Sequence, residues 1–101
     1  MNEPSPTVDR ARQFLFRVAD MLLGKNARYG DSAAHPLRVL SRAPRDEQIK
    51  VRIDDKLSRI ARGTSDDEDT LADLVGYCAL LAAVHEEDAA ALHAAENDPE
   101  E

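Results

Sequence analysis

The chain has 101 residues, a formal net charge of −7, a sequence pI near 4.9 and 43% hydrophobic residues. These values describe one globular domain, with enough apolar content for one helical core and too much for an intrinsically disordered chain. The acidic balance argues against duplex nucleic acid as a partner, because phosphate contacts dominate that affinity. The single cysteine excludes an internal disulfide, and no apolar run approaches the roughly 20 residues of a membrane span.

The charge is segregated. Residues 36–62 hold eight Lys or Arg against four acids, whereas residues 66–101 hold twelve acids and no Lys or Arg. A basic segment facing an acidic one suits a small anionic ligand, or simply two helices that attract each other.

Residues 1–6 read as a flexible leader, residues 7–95 as a single all-α domain and residues 96–101 as a disordered acidic tail. The opening MNEPSPTVDR lacks the basic-then-apolar order of a secretory signal, which with the lone cysteine points to a cytoplasmic protein. Ser5-Pro6 supplies a cap and a first-turn proline for a first helix over about 6–26. Ala11, Phe14, Leu15, Val18 and Leu22 recur at helical spacing, while Phe16 and Leu23 give it a second apolar surface, open to another helix or another subunit.

The stretch 25–32 breaks the pattern. Gly30 permits a positive φ, and Asp31 or Ser32 can cap the next helix. Pro36 opens a short second helix covering Leu37, Val39 and Leu40. Pro44 serves as the first residue of a third helix running to Arg62, with Gly63 ending it. Ile49, Ile53, Leu57 and Ile60 form its apolar stripe, Lys56 lies beside that stripe, and Arg52 and Arg59 share its flank.

Ser65-x-x-Glu68 is a capping box for a fourth helix, and the acids 66–69 suit the positive end of its dipole. Asp73 then stands two turns into an almost wholly apolar segment. Leu71, Leu74, Val75, Cys78, Leu81 and Ala82 make one face, and Thr70, Asp73, Tyr77 and Val84 another. Ala72, Gly76 and Ala79 form a strip of small residues that admits a close neighbour. A helix this apolar is expected at the centre, packed on several sides, with Cys78 in the core and His85 at an interface. No period-two run signals a strand, so the expected fold is a compact all-α bundle of three long helices and one short helix.

A carboxylate held in apolar surroundings needs a partner. Asp73 therefore points to Lys56 and Arg59, and the group Asp55, Lys56, Arg59, Asp69, Asp73 and Tyr77 forms a candidate site between the third and fourth helices. Lys56 and Arg59 suit phosphate oxygens, Arg59 in bidentate form, with Arg52 adding charge from the preceding turn. Asp69 and Asp73, one turn apart, suit donors on a sugar or base, or a shared Mg²⁺. Tyr29 and Tyr77 suit a base, and Gly30 lets backbone approach a ligand. The same residues also satisfy an internal ion-pair network with nothing bound.

Three segments in order carry a family likeness: KNARYGDS, IKVRIDDKLSRIARG and DEDTLADLVGYCALL. They resemble K-N-x-x-Y-G-D-S, R-x-x-D-K-x-x-R-I and E-D-T-L-x-D-L-x-x-Y of the phage and bacterial nucleotide modification associated domain of type one. The likeness spans residues 25–81. It implies a nucleotide context, and its family-like positions are Lys25, Tyr29, Gly30 and Asp31, then Arg52, Asp55, Lys56 and Arg59, then Asp69, Thr70, Asp73 and Tyr77. A looser likeness is to all-α nucleoside triphosphate pyrophosphohydrolases of the MazG and dimeric dUTPase type, which hold Mg²⁺ on acidic helices. Asp54-Asp55 and Asp69 with Asp73 resemble those helices, but Lys56 and Arg59 stand where a further acid belongs. The expectation is a nucleotide- or cyclic-nucleotide-binding homo-oligomer, with a Mg²⁺-dependent nucleotide hydrolase and a non-catalytic helical scaffold as alternatives.

Overall fold

The computed structural model describes residues 2–35, 40–63 and 69–97. These residues form three helices and no strand: α1 (Pro6–Tyr29), α2 (Arg45–Arg62) and α3 (Thr70–Glu96). None of them is long and apolar enough to cross a membrane. The short helix expected from Pro36 falls mostly on 36–39, outside the described residues, and Leu40 is non-helical and exposed.

Local chemistry sets the helix ends. Ser5 caps α1, its hydroxyl accepting from the Val8 amide at 3.1 Å, and Pro6 occupies the first turn. The helix runs three residues past the expected Asn26, to Tyr29. Gly30 then turns the chain at φ 67°, ψ −153°, a conformation open essentially to glycine. The Asn26 amide secures that turn by donating to the Gly30 carbonyl at 3.2 Å. At α2, Pro44 is the cap residue, not the first helical one. Gly63 at φ 68° closes α2, its amide donating to the Ile60 carbonyl at 3.2 Å. The cap of α3 is Asp69, whose carboxylate accepts from the Ala72 amide at 3.1 Å. The expected capping box, Ser65 with Glu68, lies outside the described residues, and α3 starts at Thr70.

α3 is the common partner. Both α1 and α2 pack on it, and among the described residues they do not pack on each other. The α2–α3 seam holds Ile49 and Val84 in one buried cluster with Ala34, and Ile53, Tyr77, Leu80 and Leu81 pack against it. Ile49 is 1% exposed and Leu57 49% exposed, so α2 is rolled away from the symmetric stripe that the sequence suggests. Ion pairs accompany this orientation. Arg45 and Lys56 lie on the rolled-in flank and reach acids of α3, with Arg45 donating to Asp88 at 2.8 Å. That carboxylate raises the Arg45 pKa further above its ordinary range.

α1 sits on the small-residue strip at Ala72 and Gly76. A Cβ at Gly76 would lie 3.2 Å from the Met21 methyl and 3.4 Å from Leu22. Ala79, the third residue of that strip, is exposed, as are Cys78 and His85. The expected fully surrounded helix is covered on two sides only. The radius of gyration is 17.2 Å, against about 13 Å for a compact chain of this length, so the bundle is more open than expected.

Ile49→Ala should lower unfolding free energy by about 2–5 kcal/mol in denaturant melts, and Leu57→Ala by less than about 1 kcal/mol. Equal losses would mean that α2 is not rolled. Gly76→Val should cost about 1–3 kcal/mol by overpacking against α1, whereas Gly76→Ala should stay within about 1 kcal/mol. In the alanine variant helix propensity offsets the displaced Met21 methyl.

Candidate ligand-binding site

Asp73 stands where the three helices meet. With Asp69 as cap, it occupies the first turn of α3, not a position two turns in, so the helix dipole also favours its charge. One carboxylate oxygen takes the Lys25 ammonium of α1 at 3.0 Å, and the other faces the Lys56 ammonium of α2 at 3.6 Å. Lys56 and Asp73 are 11% and 17% exposed, so this pair is largely shielded, while Lys25 is half exposed. The partner that the sequence assigns to Asp73 is therefore present in Lys56. The second expected partner, Arg59, pairs within α2 with Asp55 at 3.2 Å.

Beside this pair opens a cleft of about 400 Å³. Its walls are the C-terminal end of α1, the turn 30–34, Arg52 of α2 and the Asp73–Leu80 face of α3. Of the expected site residues, Lys25, Tyr29, Gly30, Asp31, Arg52, Asp73 and Tyr77 line it; Asp55, Lys56, Arg59 and Asp69 do not. Lys56 acts from behind, through Asp73.

The cleft mixes charge with aromatic surface. The Arg52 guanidinium lies over the Tyr77 ring, 5.8 Å from its centroid. Among the described residues no carboxylate lies within ion-pair distance of Arg52. Arg28 lies similarly over the exposed Tyr29 at 5.6 Å. Asp31 faces His35 at 3.3 Å and accepts from Asn26 at 3.5 Å. Asn26 is a site residue that the sequence reading missed, although it belongs to the KNARYGDS segment. Its role is to hold the loop, and only the loop geometry reveals that.

A Mg²⁺ shared by Asp69 and Asp73 fits these surroundings poorly. Asp69 spends one oxygen on the helix amide, and two ammonium groups crowd Asp73 and repel a divalent cation. Among the described residues no group of three or more His, Cys, Asp or Glu is placed to hold a metal.

Thr70, one turn before Asp73 and also family-like in sequence, is buried, and among the described residues its hydroxyl has no hydrogen-bond partner. Compared with family models, curated proteins and solved structures, the chain gives no match.

Asp73→Ala should cost about 1–3 kcal/mol of stability, because it removes a shielded carboxylate that joins Lys25 of α1 to Lys56 of α2. Lys25→Ala, at a half-exposed position, should cost less than about 1 kcal/mol. The two melts compared directly test which lysine depends on Asp73. Thr70→Val should raise stability by about 1 kcal/mol by removing an unpaired buried hydroxyl. A fall in its melting temperature would instead show that the hydroxyl is paired in solution.

Proposed function

We propose that this protein binds a nucleotide or cyclic-nucleotide-like anion in the cleft between α1, α2 and α3, without turning it over. The observation that carries the reading is the juxtaposition of Arg52 and Lys25 with Tyr77, Tyr29 and Gly30 around a cleft of about 400 Å³. That volume lies at the lower end of small-molecule sites and suits a mononucleotide-sized guest. Arg52, held against the Tyr77 ring, offers its planar fork to phosphate oxygens. Tyr29 offers an open aromatic face for a base. Asp31 accepts from sugar or base donors, and the glycine turn lets backbone approach.

The resemblance to the nucleotide modification associated domain supports the same reading, because its loop and helix segments supply the seven expected residues that line the cleft. On this reading the protein serves nucleotide chemistry or nucleotide signalling in a phage or bacterial cytoplasm, as a homo-oligomer.

One observation favours a second reading, a helical scaffold with no guest. Both oxygens of Asp73 are met by lysines of the same chain, so this carboxylate has its counter-charge from within.

A thermal-shift panel of nucleoside phosphates and cyclic nucleotides, each with and without Mg²⁺, separates these readings. At a hundredfold excess over Kd, a true ligand adds about 2.7 kcal/mol of stability. That should raise Tm by several degrees for at least one nucleotide. The shift should vanish in Arg52→Ala, whose side chain is exposed and whose helix content should be unchanged. Release of phosphate or pyrophosphate would replace the proposal with a hydrolase. No shift with any compound would leave the scaffold.

A further inference from the structure

Four charged side chains line the cleft: Lys25, Asp31, Arg52 and Asp73. Lys25 and Asp73 match each other at 3.0 Å, and Lys56, behind Asp73, does not line the cleft. The balance of the wall is therefore Arg52 against Asp31. Arg52 rests 5.8 Å from the centroid of the Tyr77 ring, and among the described residues no carboxylate lies within ion-pair distance of it. An aromatic face orients a guanidinium without neutralising it. Asp31 faces His35 at 3.3 Å, accepts from the Asn26 amide at 3.5 Å and stays exposed.

The backbone adds to the negative side. α1 ends at the cleft with Tyr29, and the C-terminal end of a helix carries partial negative charge. Arg28, the basic residue of that last turn, does not line the cleft. The whole chain, at −7, also repels polyanions. The wall thus offers one guanidinium to an anion and opposes each charge beyond the first.

Much of the remaining lining is apolar: Met21 and Leu22 of α1, Ala33 and Ala34 of the turn, Gly76 and Leu80 of α3. This part is narrow between α1 and α3, since a Cβ at Gly76 would lie 3.2 Å from the Met21 methyl. Such a lining takes a flat apolar body out of water, which suits a base. Among nucleotides, a phosphodiester holds one negative charge, a terminal monoester nearly two and a triphosphate roughly four. We propose, on the reading of this cleft as a nucleotide site, that it selects a singly charged 3′,5′-cyclic mononucleotide over linear monophosphates and polyphosphates. Arg52 takes the phosphodiester, and Asp31 turns excess charge away. A linear dinucleotide carries the same single charge, but a cleft of about 400 Å³ favours the smaller guest.

Thermal shift in EDTA at low salt reads this selection. The compounds are cAMP, cGMP, cCMP and cUMP, their linear 5′-monophosphates and triphosphates, and the dinucleotide ApA, all at equal concentration. At least one cyclic nucleotide should raise Tm, its linear monophosphate should raise it less, and its triphosphate least. Titration should place the Kd of the cyclic form about tenfold or more below that of the triphosphate. Asp31→Asn keeps the oxygen that accepts from Asn26 and removes the charge, so it should narrow that ratio by roughly threefold or more. Raising salt from about 20 mM to about 500 mM should narrow it in the native protein. A linear monophosphate or triphosphate that matches its cyclic counterpart overturns the charge selection and leaves the nucleotide site standing. A ratio indifferent to Asp31→Asn or to salt also overturns it, because the preference would then belong to shape. A larger shift with ApA than with cAMP overturns the choice of a mononucleotide. No shift with any compound removes the nucleotide site and the selection together.

Discussion

One carboxylate, Asp73, ties together helices from three parts of the chain. α1 and α2 do not pack on each other among the described residues, so their relative placement depends on α3. Asp73 is where that placement is fixed, since Lys25 comes from α1 and Lys56 from α2. The apolar core alone is thin, with Val18, Ile49 and Val84 the larger residues fully withdrawn from water. In a chain stable by only a few kcal/mol, a shielded ion pair at the junction therefore does much to specify which faces meet. The cleft is a product of this arrangement, because its walls come from the three elements that Asp73 draws together.

How far the sequence disclosed this depends on the residue. The pairing of Asp73 with Lys56 was legible because a lone acid among apolar residues on one helix, and a lysine beside the apolar stripe on another, have few alternatives. Gly76 was legible as a point of close approach for the same kind of reason: a small residue between large ones has packing as its main use. The loop at Gly30 was legible from its glycine alone. Leu57 was not. Its place in the apolar period is the same as that of Ile49, and only the packing of α2 on α3, with Arg45 and Lys56 reaching across, leaves it outside. The start of α3 was not legible either, because Ser65 with Glu68 and Asp69 are competing caps four residues apart, and the choice between them depends on tertiary contacts. That shift moves Asp73 from the middle of a helix to its first turn, where its charge is easier to hold.

The site has a similar division. Loop and helix residues expected to gather do gather, but in two shells. Lys25, Tyr29, Asp31, Arg52 and Tyr77 meet the open space, while Lys56 steadies Asp73 behind it. Arg59 pairs with Asp55 one turn back on the same helix. Spacing along a helix told which residues share a flank, but not how much of that flank a neighbour would cover. Asn26 illustrates the converse. Nothing in its spacing marked it, yet its amide bonds to the loop's backbone and to Asp31, and so sets the shape that a guest would meet.

The two ends of α3 are held by different physics. From Thr70 to Asp88 the helix is clasped by two neighbours and by the Arg45 ion pair. From Ala89 to Glu96 every residue is exposed. Eight alanine-rich residues cannot sustain a helix by themselves in water, and they persist only as a continuation of a nucleus already formed upstream. The rod is thus stiff at its root and soft at its tip. In a solitary chain its final turns unwind and rewind on the sub-microsecond scale of helix–coil exchange, while the root opens only when the whole molecule does.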